Sequence, residues 1–183
     1  EKLNDIDDNI IGQMLTFLRE RISGVDAILI EDYGKGVIIP RLLQEVISLA
    51  KKHNKIITVD PKENHFSFYQ DVTLITPNHH EARKAAGPTA ASPDDLEAVG
   101  RELLKRQNCR AALVTLGEDG MQLFEKKARS VHIPTVAQEV FDVSGAGDTV
   151  ISAATVSLAG GASMPEAAHI ANYAAGIVVG KVG

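Results

Sequence analysis

The chain has 183 residues, of which 44% are hydrophobic, with 19 Lys and Arg against 24 Asp and Glu for a net charge of −5; that is one domain with room for a sizeable core. No basic stripe interleaved with aromatic residues is present, which argues against nucleic-acid binding, and no apolar run is long enough to cross a bilayer. No basic-then-apolar leader opens the chain, and its single cysteine, Cys109, cannot form an intrachain disulfide, so the composition points to a cytoplasmic protein.

Helical and strand-like segments alternate. Ile11, Met14, Leu15, Leu18 and Ile22 recur on one helical face, ahead of an apolar strand at 27–30. Pro40 opens a second helix with Leu43, Val46, Ile47 and Ala50 as its stripe, and Lys51 and Lys52 suit its C-terminal end. Strands are predicted at 56–60 and 72–76. Ser92-Pro93-Asp94-Asp95 starts a helix that turns Leu96, Val99 and Leu103 inward. A strand at 112–115 leads into a hairpin of 121–124 and 130–133 around a polar tip. A glycine turn at 142–149 opens a further helix, and Ser163 with Glu166 forms a capping box for the last one. Short apolar strands alternating with helices predict an α/β fold of three layers, a mostly parallel sheet covered on both faces.

The histidines carry no metal pattern. His79 and His80 are adjacent and are predicted to point apart, which makes a poor ligand pair. His65 lies in a loop with Phe66, Phe68 and Tyr69, read as a packed connection, and His53 and His169 belong to helix ends or surfaces.

Residues 142–149 read Asp-Val-Ser-Gly-Ala-Gly-Asp-Thr. The first amides of a helix lack internal partners and carry partial positive charge, so they can hold an anion. Gly145 and Gly147 let the backbone approach it closely. A carboxylate beside such a pocket, Asp148, suits phosphoryl transfer, in which an acid takes a hydroxyl proton while amides hold the phosphate. The same pattern also describes tight helix–strand packing with a first-turn acid favouring the helix dipole.

Two further segments admit paired readings. In Thr-Pro-Asn-His-His-Glu at 76–81, Asn78 and Glu81 are oxygen donors suited to a hard cation, and equally a capping box for the following helix. In Thr115-Leu116-Gly117-Glu118-Asp119-Gly120, the glycines supply either a phosphate-binding turn or a plain strand–turn–strand.

Taken in order, the three segments resemble the signatures of the ribokinase-like (PfkB) carbohydrate kinase family: Asn-x-x-Glu, Thr-x-Gly-x-x-Gly and Asp-Thr-x-Gly-Ala-Gly-Asp, with Val143 here where the last motif usually has Thr. The resemblance implies that Asp148 is the catalytic base and that the amides of Gly145, Ala146 and Gly147 form the anion hole. It further implies that Thr115, Gly117, Gly120 and Asn172 contact ATP, and that Asn78 and Glu81 organise Mg2+, through water.

Glu31-Asp32-Tyr33-Gly34-Lys35-Gly36 and Val59-Asp60-Pro61-Lys62 resemble segments of the heptose 7-phosphate kinases of bacterial lipopolysaccharide precursor (ADP-heptose) synthesis. Lys35, Asp60 and Lys62 would then hold the sugar phosphate, the lysines as partners of its dianion. For each lysine a solvated loop charge is the other reading, and Asp32 and Asp60 could equally cap their turns. Another sugar, sugar phosphate or nucleoside as acceptor, or a non-catalytic nucleotide- or sugar-binding module, are the alternatives.

Members of the family carry a longer N-terminal half with the first strands and the lid, whereas this chain starts at Glu1 on a helix. The resemblance therefore implies that residues 1–183 are the C-terminal part of one kinase domain. It also implies that a nucleotidyltransferase domain can follow beyond Gly183. A sheet edge left bare predicts self-association, as a homo-oligomer, or modest stability of the isolated piece.

Overall fold

A computed structural model of the protein describes residues 5–87, 95–137 and 144–181. Its helices and strands follow in the order α1 (Asp8–Arg21), β1 (Ala27–Glu31), α2 (Pro40–Lys52), β2 (Ile56–Asp60), β3 (Leu74–Ile75), α3 (His79–Ala86), α4 (Leu96–Gln107), β4 (Ala111–Thr115), β5 (Met121–Glu125), β6 (Val131–Ile133), α5 (Ala146–Ala159) and α6 (Met164–Val179). The strands form one sheet in chain order; β1 to β4 are parallel, and β5 and β6 are added antiparallel.

Register decides which core each strand residue enters. Ile30, Val59, Ile75, Ala112 and Phe124 stand side by side across the sheet and pack with Leu43, Val99 and Leu103 of α2 and α4. Successive residues of a strand point to opposite faces. Leu74, Ala111, Leu113 and Leu123 accordingly pack on the other side with Val150, Ala154, Ala168 and Ala171 of α5 and α6. The result is three layers, helices on both faces of the sheet. Ala111 to Val114 are buried throughout, as a central strand's continuous apolar run requires.

Local chemistry sets the helix starts. Asp7 caps α1 by accepting the Asn9 amide at 2.8 Å, so the helix begins at Asp8, ahead of the first apolar position at Ile11. Asp95 caps α4, accepting the amides of Glu97 and Ala98. The Ser92–Asp94 part of the start signal, like Asp142 and Val143 of the glycine turn, lies outside the described residues. Ser163 and Glu166 form the expected box at α6.

Two expectations need correction. The strand predicted over 72–76 is ladder-paired only at Leu74–Ile75; at its start the Ile57 amide bonds to the Thr73 hydroxyl at 3.1 Å, while single backbone bonds continue at Thr73 and Thr76. His79 and His80 do not point apart: their rings lie 3.8 Å centroid to centroid at the start of α3. The His79 pKa is lowered by desolvation first and then by the charges of His80 and Arg83.

Candidate active site

The C-terminal ends of the parallel strands meet the N-terminus of α5, the place where open α/β sheets hold ligands. Glu31 pairs in register with Asp60, and the Asp32 amide continues that ladder to the Asp60 carbonyl at 3.1 Å. Asn78 forms a parallel bridge with Thr115, whose amide donates to the Pro77 carbonyl at 3.0 Å. These bonds bring the segments after β1, β2, β3 and β4 into one row.

A cleft of about 500 Å3 opens between the β4–β5 turn and the helices α5 and α6. Thr115, Gly117, Gly120, Ala146, Gly147 and Asn172 all line it, over a floor that includes Met121, Val150 and Val179. Six sequence-predicted residues from three separate stretches thus share one cavity. Gly120 is fixed as glycine twice over: its φ is +84°, and a Cβ there would lie 2.2 Å from the Ile133 carbonyl oxygen. Gly145, the N-cap of α5, has φ +75° and receives both the amide and the hydroxyl of Thr149 on its carbonyl. Open space lies where Cβ atoms of Gly145 and Gly147 would be, so the first amides of α5 are approachable from the cleft side. Asn172 is buried, and its amide nitrogen donates to the Pro134 carbonyl at 2.8 Å, which ties the segment following β6 to α6.

Asn78 and Glu81 realise the capping box. The Asn78 side-chain oxygen accepts the amides of His80 and Glu81 at 3.0 Å each, and Glu81 accepts the Asn78 amide at 3.0 Å. Their oxygens are the hard donors magnesium prefers, but the amide oxygen is already doubly engaged. They fit a hydrated cation reached through water. Among the described residues no three acidic, histidine or cysteine side chains converge as a self-sufficient metal cage.

The predicted acceptor residues lie at the end of β2 and in the loops after β1 and β2. Lys35 and Lys62 are exposed, and the Lys62 stem crosses Gly34, where a Cβ would meet its Cγ at 3.3 Å. The two strand-end loops therefore touch. Asp60 is half-buried and accepts the Thr76 hydroxyl at 3.1 Å. Burial, opposed by that bond and reinforced by the charges of Glu81, Asp148 and Glu31, pushes its pKa up to about 6.

Asp32 is a turn organiser and not a free ligand. It is buried and accepts the Gly34 amide at 2.7 Å, the Tyr69 hydroxyl at 2.5 Å and His65 Nδ1 at 2.7 Å. The Tyr69 oxygen in turn accepts the Lys62 amide at 3.0 Å, so one carboxylate locks both loops. Sequence reasoning placed His65 and Tyr69 in a packed connection, which they form, but gave no sign of this partner. Cys109 is buried, its thiol pushed up to about 12 by desolvation, and stands apart from the site.

Asp148, half-buried in the first turn of α5, stands next to the cleft-lining Gly147 and acts electrostatically on Asp60 and on Tyr33 of the loop after β1.

Comparison with known proteins identifies the family and the fold. The Bifunctional protein HldE of Paramagnetospirillum magneticum is 42% identical over 183 residues, all of this chain and 38% of that protein. Its namesake in Geobacter metallireducens is 45% identical over 177 residues, 97% of this chain and 35% of that protein. The chain thus spans well under half the length of these relatives. Among solved structures, phosphofructokinase-2 of Escherichia coli superposes with a TM-score of 0.82 at 20% identity, covering 98% of this chain and 58% of that one. Ribokinase of Thermotoga maritima gives 0.70 at 25% identity, covering 90% and 54%. The family described as pfkB family carbohydrate kinase matches residues 12–183, and the chain belongs to that family.

Proposed function

We propose that the chain is the C-terminal part of a cytoplasmic kinase domain that moves the γ-phosphoryl group of ATP to a hydroxyl of a sugar phosphate, heptose 7-phosphate becoming heptose 1,7-bisphosphate. One observation carries this reading: a single cleft gathers Thr115, Gly117, Gly120, Ala146, Gly147 and Asn172, and Asp148 follows Gly147 in the same first turn of α5. The relatives named above and the resemblance of residues 31–36 and 59–62 to heptose 7-phosphate kinases favour the heptose acceptor.

In this reading the nucleotide lies along the β4–β5 turn, and the amides of Gly145, Ala146 and Gly147 hold the transferring phosphoryl oxygens. Magnesium, when bound, neutralises charge on the phosphates, held through water by Asn78 and Glu81. Lys35 and Lys62 hold the acceptor's own phosphate, and Asp60 takes a sugar hydroxyl. Asp148 accepts the proton of the attacking hydroxyl as its oxygen meets the γ-phosphorus in line. β1 is the edge of the described sheet. In the whole protein that edge joins the N-terminal part of the domain, and a fused nucleotidyltransferase domain follows Gly183. The assembled enzyme is a homo-oligomer, and the isolated piece is inactive.

The test is ADP release by the full-length protein offered heptose 7-phosphate, ribose and fructose 6-phosphate. Strong preference for the heptose supports the reading. Preference for another acceptor removes the roles of Lys35 and Lys62 but keeps that of Asp148.

A further inference from the structure

Among the described residues Asp32 is the only buried acid, and the reaction above does not use it. Taking a carboxylate out of water is costly, and an apolar side chain would fill the same volume without that cost. Three donors compensate it. Oδ1 accepts the Gly34 amide at 2.7 Å, while Oδ2 accepts the Tyr69 hydroxyl at 2.5 Å and His65 Nδ1 at 2.7 Å. An ionised carboxylate only accepts, so His65 carries a proton on Nδ1.

These bonds converge on backbone beside the two predicted acceptor lysines. Gly34 immediately precedes Lys35 in the loop after β1. The Tyr69 oxygen, held by Asp32, accepts the amide of Lys62 itself at 3.0 Å. The Lys62 stem then lies against Gly34, whose φ of +66° turns the chain back. Both donors are fixed in their own right. Tyr69 is fully buried, with the Phe66 ring edge-on at 6.0 Å. His65 stacks on Phe68 at 5.0 Å, and its amide donates to the Lys62 carbonyl at 2.8 Å. Lys84 of α3 pairs with Glu63 and pins the same turn. Burial first, and then the bond to Asp32, keeps the Tyr69 phenol protonated well beyond its ordinary range.

We infer that Tyr69 and His65 are positioning residues for acceptor binding: through Asp32 they hold the Gly34 and Lys62 backbones at one spacing, so that Lys35 and Lys62 meet the acceptor's phosphate together. The inference rests on the proposal that these two lysines bind that phosphate. Two cations on separate loops hold a dianion best when neither loop has to be ordered on binding. None of the clamp residues lines the nucleotide-type cleft, so loosening the clamp weakens the acceptor and spares ATP.

The experiment uses the full-length protein with ATP, and as acceptor either heptose 7-phosphate or the same heptose without its phosphate. Tyr69→Phe removes one hydroxyl and keeps the buried ring. His65→Leu removes the ring donor from a partly exposed side chain, and His65→Asn returns an amide N–H near the place of Nδ1. Assays are run well below every variant's thermal midpoint; should Tyr69→Phe fail to fold, His65→Leu against His65→Asn carries the test. Tyr69→Phe and His65→Leu are expected to raise the heptose 7-phosphate KM about five- to tenfold, with kcat and the ATP KM within about twofold. His65→Asn returns that KM to within about twofold of wild type. With the unphosphorylated heptose, kcat/KM stays unchanged in all three. A wild-type acceptor KM in either loss-of-donor variant overturns the inference, as does an equal loss with the unphosphorylated heptose or a matching loss in kcat and ATP KM. Lys35→Ala and Lys62→Ala separate the two ways of failing. If both leave the acceptor KM unchanged, the phosphate reading falls and this inference with it. If they raise it while Tyr69→Phe and His65→Leu do not, only the inference falls.

Discussion

Thr58 on β2 and Thr155 on α5 share a 2.6 Å hydrogen bond across the buried sheet–helix interface. Thr155 also donates to the Ile151 carbonyl at 2.6 Å, which leaves Thr58 as the donor between the two hydroxyls. Thr155 follows Asp148 by about two helical turns. The pair therefore fixes the rotation and height of α5 on the sheet, and with them the position of the base.

Thr155→Val should destabilise the protein by about 1–3 kcal/mol, because it strands a fully buried Thr58 hydroxyl. The double variant with Thr58→Val should recover part of that loss. Denaturant unfolding of the four proteins measures it as a double-mutant cycle, and strictly additive effects would mean that the bond contributes nothing.

Gly100 of α4 lies so close to the Phe124 ring that a Cβ would sit 2.5 Å from three of its carbons. Alanine is otherwise the better helix former, by about 1 kcal/mol. Gly100→Ala should nonetheless destabilise by about 1–3 kcal/mol through overpacking. Adding Phe124→Leu should make the alanine tolerable, and thermal midpoints decide the matter. A stabilised Gly100→Ala would show that helix and strand can separate without loss.

Asp60 should make stability fall as pH rises. Its folded pKa of about 6 stands above its unfolded value of 3.8, so the folded state binds the proton more tightly between these pH values. Its contribution is fully present below about pH 4 and is lost as pH passes through about 6. Asp60→Asn should then raise the melting temperature at pH 7.5 by about 2–5 °C, with the gain vanishing near pH 4. A lower melting temperature at pH 7.5 would contradict the shift. A stabilised variant with weakened acceptor binding would mark Asp60 as a residue kept for function at the expense of stability.

What could be read from the sequence was local. Pro40 at the first turn of α2, the boxes of Asn78 with Glu81 and Ser163 with Glu166, and the positive φ of Gly117 and Gly120 all follow from neighbouring residues. The apolar runs of β1, β2 and β4 announce strands for the same reason. β3 was overdrawn, and at its start the Thr73 hydroxyl takes the Ile57 amide, a contact between strands that no local pattern encodes. The same holds at the site. The order of three motifs points to Asp148 and the cleft, but the clamp of Asp32 on Tyr69 and His65 joins segments that only the fold brings together.

The central claim is that Asp148 takes the acceptor's proton while the cleft beside it binds the nucleotide. Full-length Asp148→Asn, assayed for ADP release and separately for ATP binding by calorimetry, tests it most directly. The account predicts a kcat lower by about 10^3-fold with an ATP Kd within about twofold of wild type. Equal loss of turnover and of ATP affinity would contradict it and make Asp148 a nucleotide-binding residue.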